Sequence, residues 1–216
     1  YWSSDAVAKD VSTSQFGTIV SFAESSVTEG LLYAGSDDGV ISVSSDKGEN
    51  WTKISSFPDV PAYTYVSDIC PSKYDENVVF ASFNNHKSND FKPYIYISKN
   101  KGKSWTSISA NLPEGVVHSI VQDHKNPNIL FCGTEFGVFI TFNKGNEWIR
   151  IKNGLPDISV RDMVIQEQEN DLVIATFGRG FYILHNYSAL RELGNISTEQ
   201  NAHLFTVKDA KLFLPR

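Results

Sequence analysis

Three octets recur along this chain: SSDKGENW at residues 44–51, SKNKGKSW at residues 98–105 and TFNKGNEW at residues 141–148. Each reads hydroxyl-x-Asp/Asn-x-Gly-x-x-Trp, and the tryptophans follow one another at intervals of 54 and 43 residues. Self-similarity at a period of roughly 20 to 50 residues is the signature of solenoids, propellers and arrays. The octets therefore predict a repeat protein, and their shared positions are Ser44, Asp46, Gly48, Trp51, Ser98, Asn100, Gly102, Trp105, Thr141, Asn143, Gly145 and Trp148.

The chemistry of the octet is that of a tight turn. Its hydroxyl and its Asp or Asn side chain can bond nearby backbone N–H groups, and its glycine adopts a positive φ without steric cost. The tryptophan that ends it is a large apolar group with a single N–H to satisfy. We therefore expect Trp51, Trp105 and Trp148 to be largely buried, each beside the turn of its own unit.

Short strands surround each octet in the same order. Three strands precede the octet and one follows it, with turn residues such as Glu29-Gly30 and Pro127-Asn128 between them. Four short strands per unit, at a period near 43 residues, are typical of propeller blades. The first interval is longer because residues 83–93 form an insertion between the second and third strands. The pattern predicts an all-β chain of four four-stranded antiparallel blades, at about 16–55, 64–109, 116–152 and 159–208.

The octets resemble the Asp-box, or BNR, repeats of sialidases, sortilin-type receptors and xyloglucan-cleaving propellers. The stretches FCGTEFGVF at 131–139 and TFGRGFYIL at 176–184 resemble a narrower group, the large secreted bacterial BNR-repeat proteins described as sortilin-like or glycosyl-hydrolase-like. The resemblance covers roughly residues 16–185. It implies a β-propeller and an extracellular, periplasmic or cell-surface location, but no activity, because enzymes and non-enzymes share this structural turn.

The two ends of the chain depart from the repeat. The fourth unit has no octet; residues 187–193 read as a short helix with Gly194 as its stop, and residues 204–207 as the outermost strand of the fourth blade. Residues 1–15 read as a loop or linker, and 209–216 as a tail leading to a further domain. We favour a segment of a longer protein, with further blades of the same chain as partners. A complete four-bladed ring is the second alternative, and dimerisation through the open blades is the third.

Composition excludes several classes of protein. The net charge of −6 comes without any basic cluster, which argues against nucleic-acid binding, and no apolar run is long enough to span a membrane. The two cysteines, Cys70 and Cys132, lie in strands of different units and are expected to be buried free thiols. We predict neither a metal site nor a cofactor.

The hairpin face, formed by the hairpins between second and third strands and by the loops joining units, is where we expect a site. Its candidate catalytic carboxylates are Asp37, Asp38 and Glu135, although Asp37-Asp38-Gly39 also reads as a hairpin turn. The inserted hairpin interrupts the repeat and is our best candidate for specificity. The candidate ligand-binding residues are His86, Lys87 and Asp90 from this insertion, together with Tyr63, Tyr65, Arg161 and Arg179. His118 is expected to be a channel-lining histidine.

Three functions remain open at this point. The favoured hypothesis is a non-catalytic recognition module that binds peptide or glycan on the hairpin face. The alternative is a glycoside hydrolase that pairs Asp37 or Asp38 with Glu135 or with a carboxylate outside this chain. A structural spacer is the third possibility. Sialidase activity is disfavoured, because it needs three arginines and only Arg161 and Arg179 lie at suitable positions.

Overall fold

The structure, a computed structural model, describes residues 17–152, 154–194, 196 and 202–207. These residues form four antiparallel sheets and little else. Sheet 1 contains β1 (Ile19–Glu24), β2 (Leu32–Ser36), β3 (Ile41–Ser44) and β4 (Thr52–Ile54). Sheet 2 contains β5 (Tyr65–Pro71), β6 (Val79–Asn85), β7 (Asp90–Ser98) and β8 (Thr106–Ser107). Sheet 3 contains β9 (Val117–Gln122), β10 (Leu130–Thr134), β11 (Gly137–Thr141) and β12 (Ile149–Ile151). Sheet 4 contains β13 (Val160–Gln166), β14 (Asp171–Thr176) and β15 (Phe181–Leu184).

The sheets follow one another as the blades of a propeller do. Within each sheet the strands pair in sequence order, and the first strands β1, β5, β9 and β13 contact one another in succession. Each neighbouring pair of sheets encloses its own apolar core. The prediction of an all-β chain of antiparallel blades is therefore confirmed.

Sheet 4 differs from the prediction in one respect. Residues 204–207 form no strand; instead the backbone N–H of Thr206 donates to Glu192 Oε1 at 3.1 Å, and the Leu204 side chain is exposed. Sheet 4 therefore has three strands among the described residues. The predicted N-terminal loop at 1–15 and the tail at 209–216 lie outside the described residues.

The three octets form the same turn. The hydroxyls of Ser44, Ser98 and Thr141 each accept the backbone N–H of the octet glycine at 2.9 Å. The oxygen of the third octet residue accepts the N–H of the seventh at 2.8–3.0 Å, as in the bond from Asn50 to Asp46. The residue before each glycine and the glycine itself both have positive φ, for example 61° at Lys47 and 92° at Gly48. The lysines have φ of 56–61°, within the left-handed region that a side chain tolerates, whereas the glycines have φ of 83–92°, beyond it, so glycine is needed at that second position.

Two of the octet tryptophans, Trp105 and Trp148, pack on the preceding sheet. As predicted, the rings of Trp51 and Trp105 also lie beside the glycine of their own turn. Trp105 lies in the core with sheet 1, with its ring centroid 5.7 Å from that of Phe57. Trp148 lies in the core with sheet 2 and donates its Nε1–H to the carbonyl of Ile108 at 2.8 Å. The prediction of burial is wrong for Trp51, which is 39% exposed and donates only to Gly48. The reason is that no described sheet precedes sheet 1.

Both end sheets carry an uncovered apolar surface. One face of sheet 1 exposes Ile19 and Phe22 beside Trp51, and one face of sheet 4 exposes Val164, Phe181 and Ile183. Exposed patches of large apolar residues mark surfaces that contact other protein or ligand. The described part of the chain leaves these two faces without a cover.

A short helix ties the end of sheet 4 to sheet 3. Helix α1 (Ser188–Leu193) begins next to Tyr187, as the sequence predicts. Tyr187 is buried against Phe131 of sheet 3, with ring centroids 5.2 Å apart. Arg191 donates its Nε–H and an Nη2–H to the carboxylate of Asp123 at 2.9 and 2.7 Å. The helix is therefore held by an ion pair that lies beneath it, with Asp123 fully buried.

The two cysteines are free thiols, as predicted. Cys132 is fully buried, as predicted. Cys70 is only partly buried when the whole residue is considered, so the prediction of burial is half right there. Burial of its sulfur raises the pKa of the Cys70 thiol to about 12. Burial also raises the pKa of the Cys132 thiol, so both groups are expected to be protonated thiols at neutral pH.

Asp68 is expected to titrate near pH 6, because it sits in the bulge of β5 between sheets 2 and 3. Its carboxylate accepts the N–H groups of Ile69 at 2.8 Å and Ile120 at 2.9 Å, but burial outweighs these bonds and raises its pKa to about 6. The stability that protonated Asp68 contributes is present below the ordinary carboxyl pKa and is lost as the pH rises through about 6. A carboxyl ¹³C NMR titration checks this. The control is Asp46, whose pKa the Asn50 N–H lowers to about 2; a midpoint for Asp68 below 5 would contradict the burial argument.

Candidate functional site

The site is built around one repeated position of the first strands. Ser67, His118 and Arg161 each follow a buried valine, and they occupy the second or third position of β5, β9 and β13. Because these strands contact one another, the three side chains line one continuous cavity on the hairpin face. The repeat thus brings a hydroxyl, an imidazole and a guanidinium together from three different sheets.

His118 and Glu135 form the centre of this site. His118 Nε2 lies 2.8 Å from Glu135 Oε2, and the hydroxyl of Ser159 donates to the same oxygen at 3.2 Å. The His118 side chain is 7% exposed, whereas that of Glu135 is 40% exposed. One carboxylate oxygen is therefore held by two partners from neighbouring sheets, and the side chain still reaches solvent.

The pKa shifts identify the protonation states of this pair. Burial lowers the pKa of His118 below its ordinary value, so the ring is neutral at pH 7. Burial also opposes the charge of Glu135, but the hydrogen bond from His118 and the charge of Arg161 outweigh it and lower its pKa. Because the ring is neutral, the lowering depends on the hydrogen bonds and on Arg161. A neutral His118 donates from Nε2 to an ionised Glu135 and keeps a lone pair on Nδ1.

Arg161 faces that lone pair. Its Nη1 lies 3.5 Å from His118 Nδ1, its Nη2 lies 3.8 Å from Glu135 Oε2, and its Cζ lies 5.2 Å from the ring centroid of Phe177. Such a cation–π contact adds about 0.5–1 kcal/mol at an exposed site. The guanidinium is thus oriented by three neighbours from two sheets.

The inserted hairpin covers one side of the site. Strands β6 and β7 are extended by it and are joined by a 3₁₀ turn (His86–Ser88). His86 is fixed by Asn84, whose Oδ1 lies 2.6 Å from His86 Nδ1. The carboxylate of Asp90 accepts hydrogen bonds from Asn85 at 3.0 Å and from Tyr94 at 2.7 Å. Both partners belong to the same hairpin, so Asp90 stabilises the hairpin itself. Of the predicted hairpin residues, His86 and Lys87 line the cavity.

The cavity has two lobes that share His86, His118 and Arg161. The apolar lobe has a volume of about 420 Å³. Its other lining residues are Phe91, Glu114, Gly115, Val116, Glu135 and Phe136. The basic lobe has a volume of about 360 Å³. Its other lining residues are Tyr65, Ser67, Asn84 and Lys87. One lobe is thus walled by aromatic rings, and the other by cationic and hydrogen-bonding groups.

The structure does not bring every predicted residue into this cavity. Asp37 accepts the backbone N–H groups of Gly17 and Thr18 at 2.7 and 2.9 Å. Asp38 is buried in the same turn, bonded to Ser36, and lines a different cavity on sheet 1. Neither aspartate shares a cavity with Glu135. Two other predicted residues, Tyr63 and Arg179, are exposed and line neither lobe.

Several site residues were missed by the sequence reasoning. Phe91, Phe136 and Phe177 each belong to a hairpin on this face, and His118 was not expected to pair with Glu135. A signal was available for His118, because it occupies the same place in its unit as Arg161. No sequence pattern distinguished the three phenylalanines, because an exposed aromatic residue in a hairpin has the same local sequence context as any other turn residue.

Two classes of feature are not found among the described residues. No helix there has the length and apolar character needed to cross a membrane. No group of three or more His, Cys, Asp or Glu side chains within the described ranges is arranged to hold a metal ion.

Comparison of the fold with solved structures finds β-propellers. The chain superimposes on the GH74 enzyme of Niastella koreensis with a TM-score of 0.64 at 19% identity, covering 79% of this chain and 28% of that one. The GH74 xyloglucanase of Xanthomonas campestris gives 0.64 at 13% identity, with 79% and 29% covered. YCF48 bound to D1 peptide gives 0.58 at 14% identity, with 77% and 51% covered.

At these identities the likeness shows the fold alone. The protein is a β-propeller chain, and it spans between a quarter and a third of the length of the two GH74 enzymes. No family model matches the sequence, and no curated protein matches it.

Proposed function

We propose that this chain is a recognition module that binds a peptide or a glycan in the two-lobed cavity of the hairpin face. The observation that carries the proposal is the arrangement of Arg161, which is held by His118 and Phe177 at the junction of the two lobes. An oriented cation beside aromatic walls is how binding sites combine specificity with apolar contact. A neighbour in fold, YCF48, has been solved with a bound peptide.

The protonation states of His118 and Glu135 argue against one catalytic role, that of a general acid. Glu135 is ionised because its pKa is lowered, and His118 is neutral and already donates to it. A general acid needs a raised pKa so that it is protonated at neutral pH. The central pair therefore lacks the proton that acid catalysis requires, whereas it is well suited to hold Arg161 in place.

A screen of peptide and glycan arrays with the full chain tests the proposal. We expect binding to at least one class, and Arg161→Gln should weaken it by about 10- to 100-fold, since a charge-assisted contact is lost. Arg179→Gln is the matched control, because this exposed arginine lies on the next hairpin outside both lobes. Absence of binding to both arrays, or equal binding by wild type and Arg161→Gln, would refute the proposal.

A glycoside hydrolase remains the second candidate function. The cavity favours Glu114, in place of Asp37 or Asp38, as the carboxylate that would pair with Glu135. Asp37 and Asp38 are bonded in a turn away from Glu135, whereas Glu114 lines the same lobe as Glu135. Two carboxylates in one cleft are the minimum for glycoside hydrolysis. Hydrolysis of xyloglucan oligosaccharides by the full chain, abolished in Glu135→Gln and Glu114→Gln, would establish this candidate and displace the first.

We further propose that the blades belong to a longer propeller of the secreted or cell-envelope type with Asp-box repeats. The octet turn and the uncovered apolar faces of sheets 1 and 4 support this, because Trp105 and Trp148 each pack on a preceding sheet whereas Trp51 has no described sheet to pack on. The proposed partners are therefore further blades, in addition to the peptide or glycan. Sedimentation of the full chain tests the alternative of dimerisation, which would show as a mass twice that of one chain.

A further inference from the structure

We propose that the two lobes bind the carboxyl terminus of a peptide, with its carboxylate in the basic lobe and an apolar last side chain in the apolar lobe. The inference rests on the proposed function, because it names the ligand class for the same site. It follows from two cavities of opposite chemistry that meet at His86, His118 and Arg161.

The basic lobe has the charge that a carboxylate needs. Lys87 and Arg161 line it together with the imidazoles of His86 and His118, and none of the described lining residues is an acid. The nearest acid is Glu135 of the apolar lobe, whose Oε2 lies 2.8 Å from His118 Nε2 and 3.8 Å from Arg161 Nη2. A second acid, Asp37, together with burial raises the pKa of Tyr65. Asp37 Oδ1 already accepts two backbone N–H groups. A carboxylate in this lobe would therefore meet Lys87, several hydrogen-bond donors, and the Arg161 guanidinium that it would share with Glu135.

Arg161 has donors left for such a ligand. An arginine has five N–H donors, and the polar contacts of Arg161 with His118 and Glu135 involve one each from Nη1 and Nη2, at 3.5 and 3.8 Å. These distances are long for hydrogen bonds, so a carboxylate at a normal distance would compete well. The side chain is 43% exposed, and a ligand can therefore reach it.

The apolar lobe favours an aliphatic or aromatic side chain over a sugar ring. Phe91 and Phe136 are 44% and 49% exposed, and Val116 completes the wall. A sugar would bring several hydroxyls that each need a partner, and apart from the residues shared with the basic lobe only Glu114 and Glu135 supply polar side chains in this lobe. A volume of about 420 Å³ accommodates a leucine or phenylalanine side chain without such demands.

The test uses an array of pentapeptides Gly-Ser-Gly-x-z with the carboxyl terminus exposed, and the same array amidated, probed with the full chain. We expect the best free-acid peptides to end in Leu, Phe or another apolar residue. Calorimetry should then show that amidation weakens binding by at least about tenfold, since a charge-assisted contact is lost. Lys87→Gln should weaken the free acid and leave the amide unchanged, whereas Arg179→Gln should change neither. Lys87 is exposed, so this substitution leaves the fold intact.

The outcomes separate the inference from the proposed function. Equal affinity for free acid and amide, or a preference for Asp or Lys at the last position, overturns the inference while peptide binding itself stands. Binding of glucuronate oligosaccharides with no peptide binding also overturns it and leaves a glycan module. Failure of every peptide and oligosaccharide probe overturns both.

Discussion

Replacement of Trp148 by alanine is expected to lower the free energy of unfolding by about 3–5 kcal/mol, the range for a fully buried large aromatic. The indole is 3% exposed and fills the core between sheets 2 and 3. Its removal would also leave the carbonyl of Ile108 without the Nε1–H that it accepts at 2.8 Å. Urea unfolding of the full chain, followed by circular dichroism, measures the loss.

Trp51 provides a matched control inside the same molecule. It occupies the same octet position, but it is 39% exposed and donates its Nε1–H to Gly48 of its own turn. Trp51→Ala should therefore cost less than about half as much as Trp148→Ala, because little apolar surface returns to water. Equal losses would show that the indole stabilises its own turn and not the contact between sheets.

Replacement of Arg191 by methionine is expected to lower the free energy of unfolding by about 3–5 kcal/mol, because it leaves a buried charge without its partner. The carboxylate of Asp123 is fully buried and accepts from Arg191, from Tyr187 at 2.6 Å and from the backbone of Asn126 at 2.7 Å. Lys47→Met is the control, since the Lys47–Glu29 pair is mostly exposed and its loss should have little effect.

Two further measurements separate the charge from the packing of this helix. Burial opposes ionisation of Asp123, but Arg191 and Tyr187 outweigh it and lower its pKa. The stability from this pair is therefore present above the ordinary carboxyl range and is lost as the pH falls below it. Arg191→Met should weaken that acid dependence. The double variant Asp123→Leu/Arg191→Met should cost less than Arg191→Met alone, and a larger cost would contradict the charge argument.

Local chemistry explains why the fold could be predicted so closely. The hydroxyl, the Asp or Asn oxygen and the glycine of each octet act within eight residues, and their bonds to the backbone N–H groups of the fifth and seventh residues recur in all three copies. The strand bounds follow from turn residues and apolar alternation, which are also local. The missing fourth strand of sheet 4 is the exception, since nothing in residues 204–207 distinguishes a strand from an exposed segment.

The site was less predictable because its contacts cross between sheets. Arg161 and Glu135 could be placed on the hairpin face by counting along the repeat, but their meeting at His118 depends on how sheets 3 and 4 pack. Asp37 and Asp38 looked equally suitable as carboxylates. Their bonding in a turn of sheet 1 is a tertiary result.

The sequence by itself determined the class of fold, the number of units and the face on which polar residues gather, because a repeat carries its own turn and strand chemistry at a fixed spacing. The tertiary structure alone decided which two octet tryptophans are buried, which carboxylate lies beside Arg161, and how Arg191 reaches Asp123. The physical reason is that burial and pairing depend on which sheet lies next to which. Residues distant in the chain supply both, and no short pattern records them.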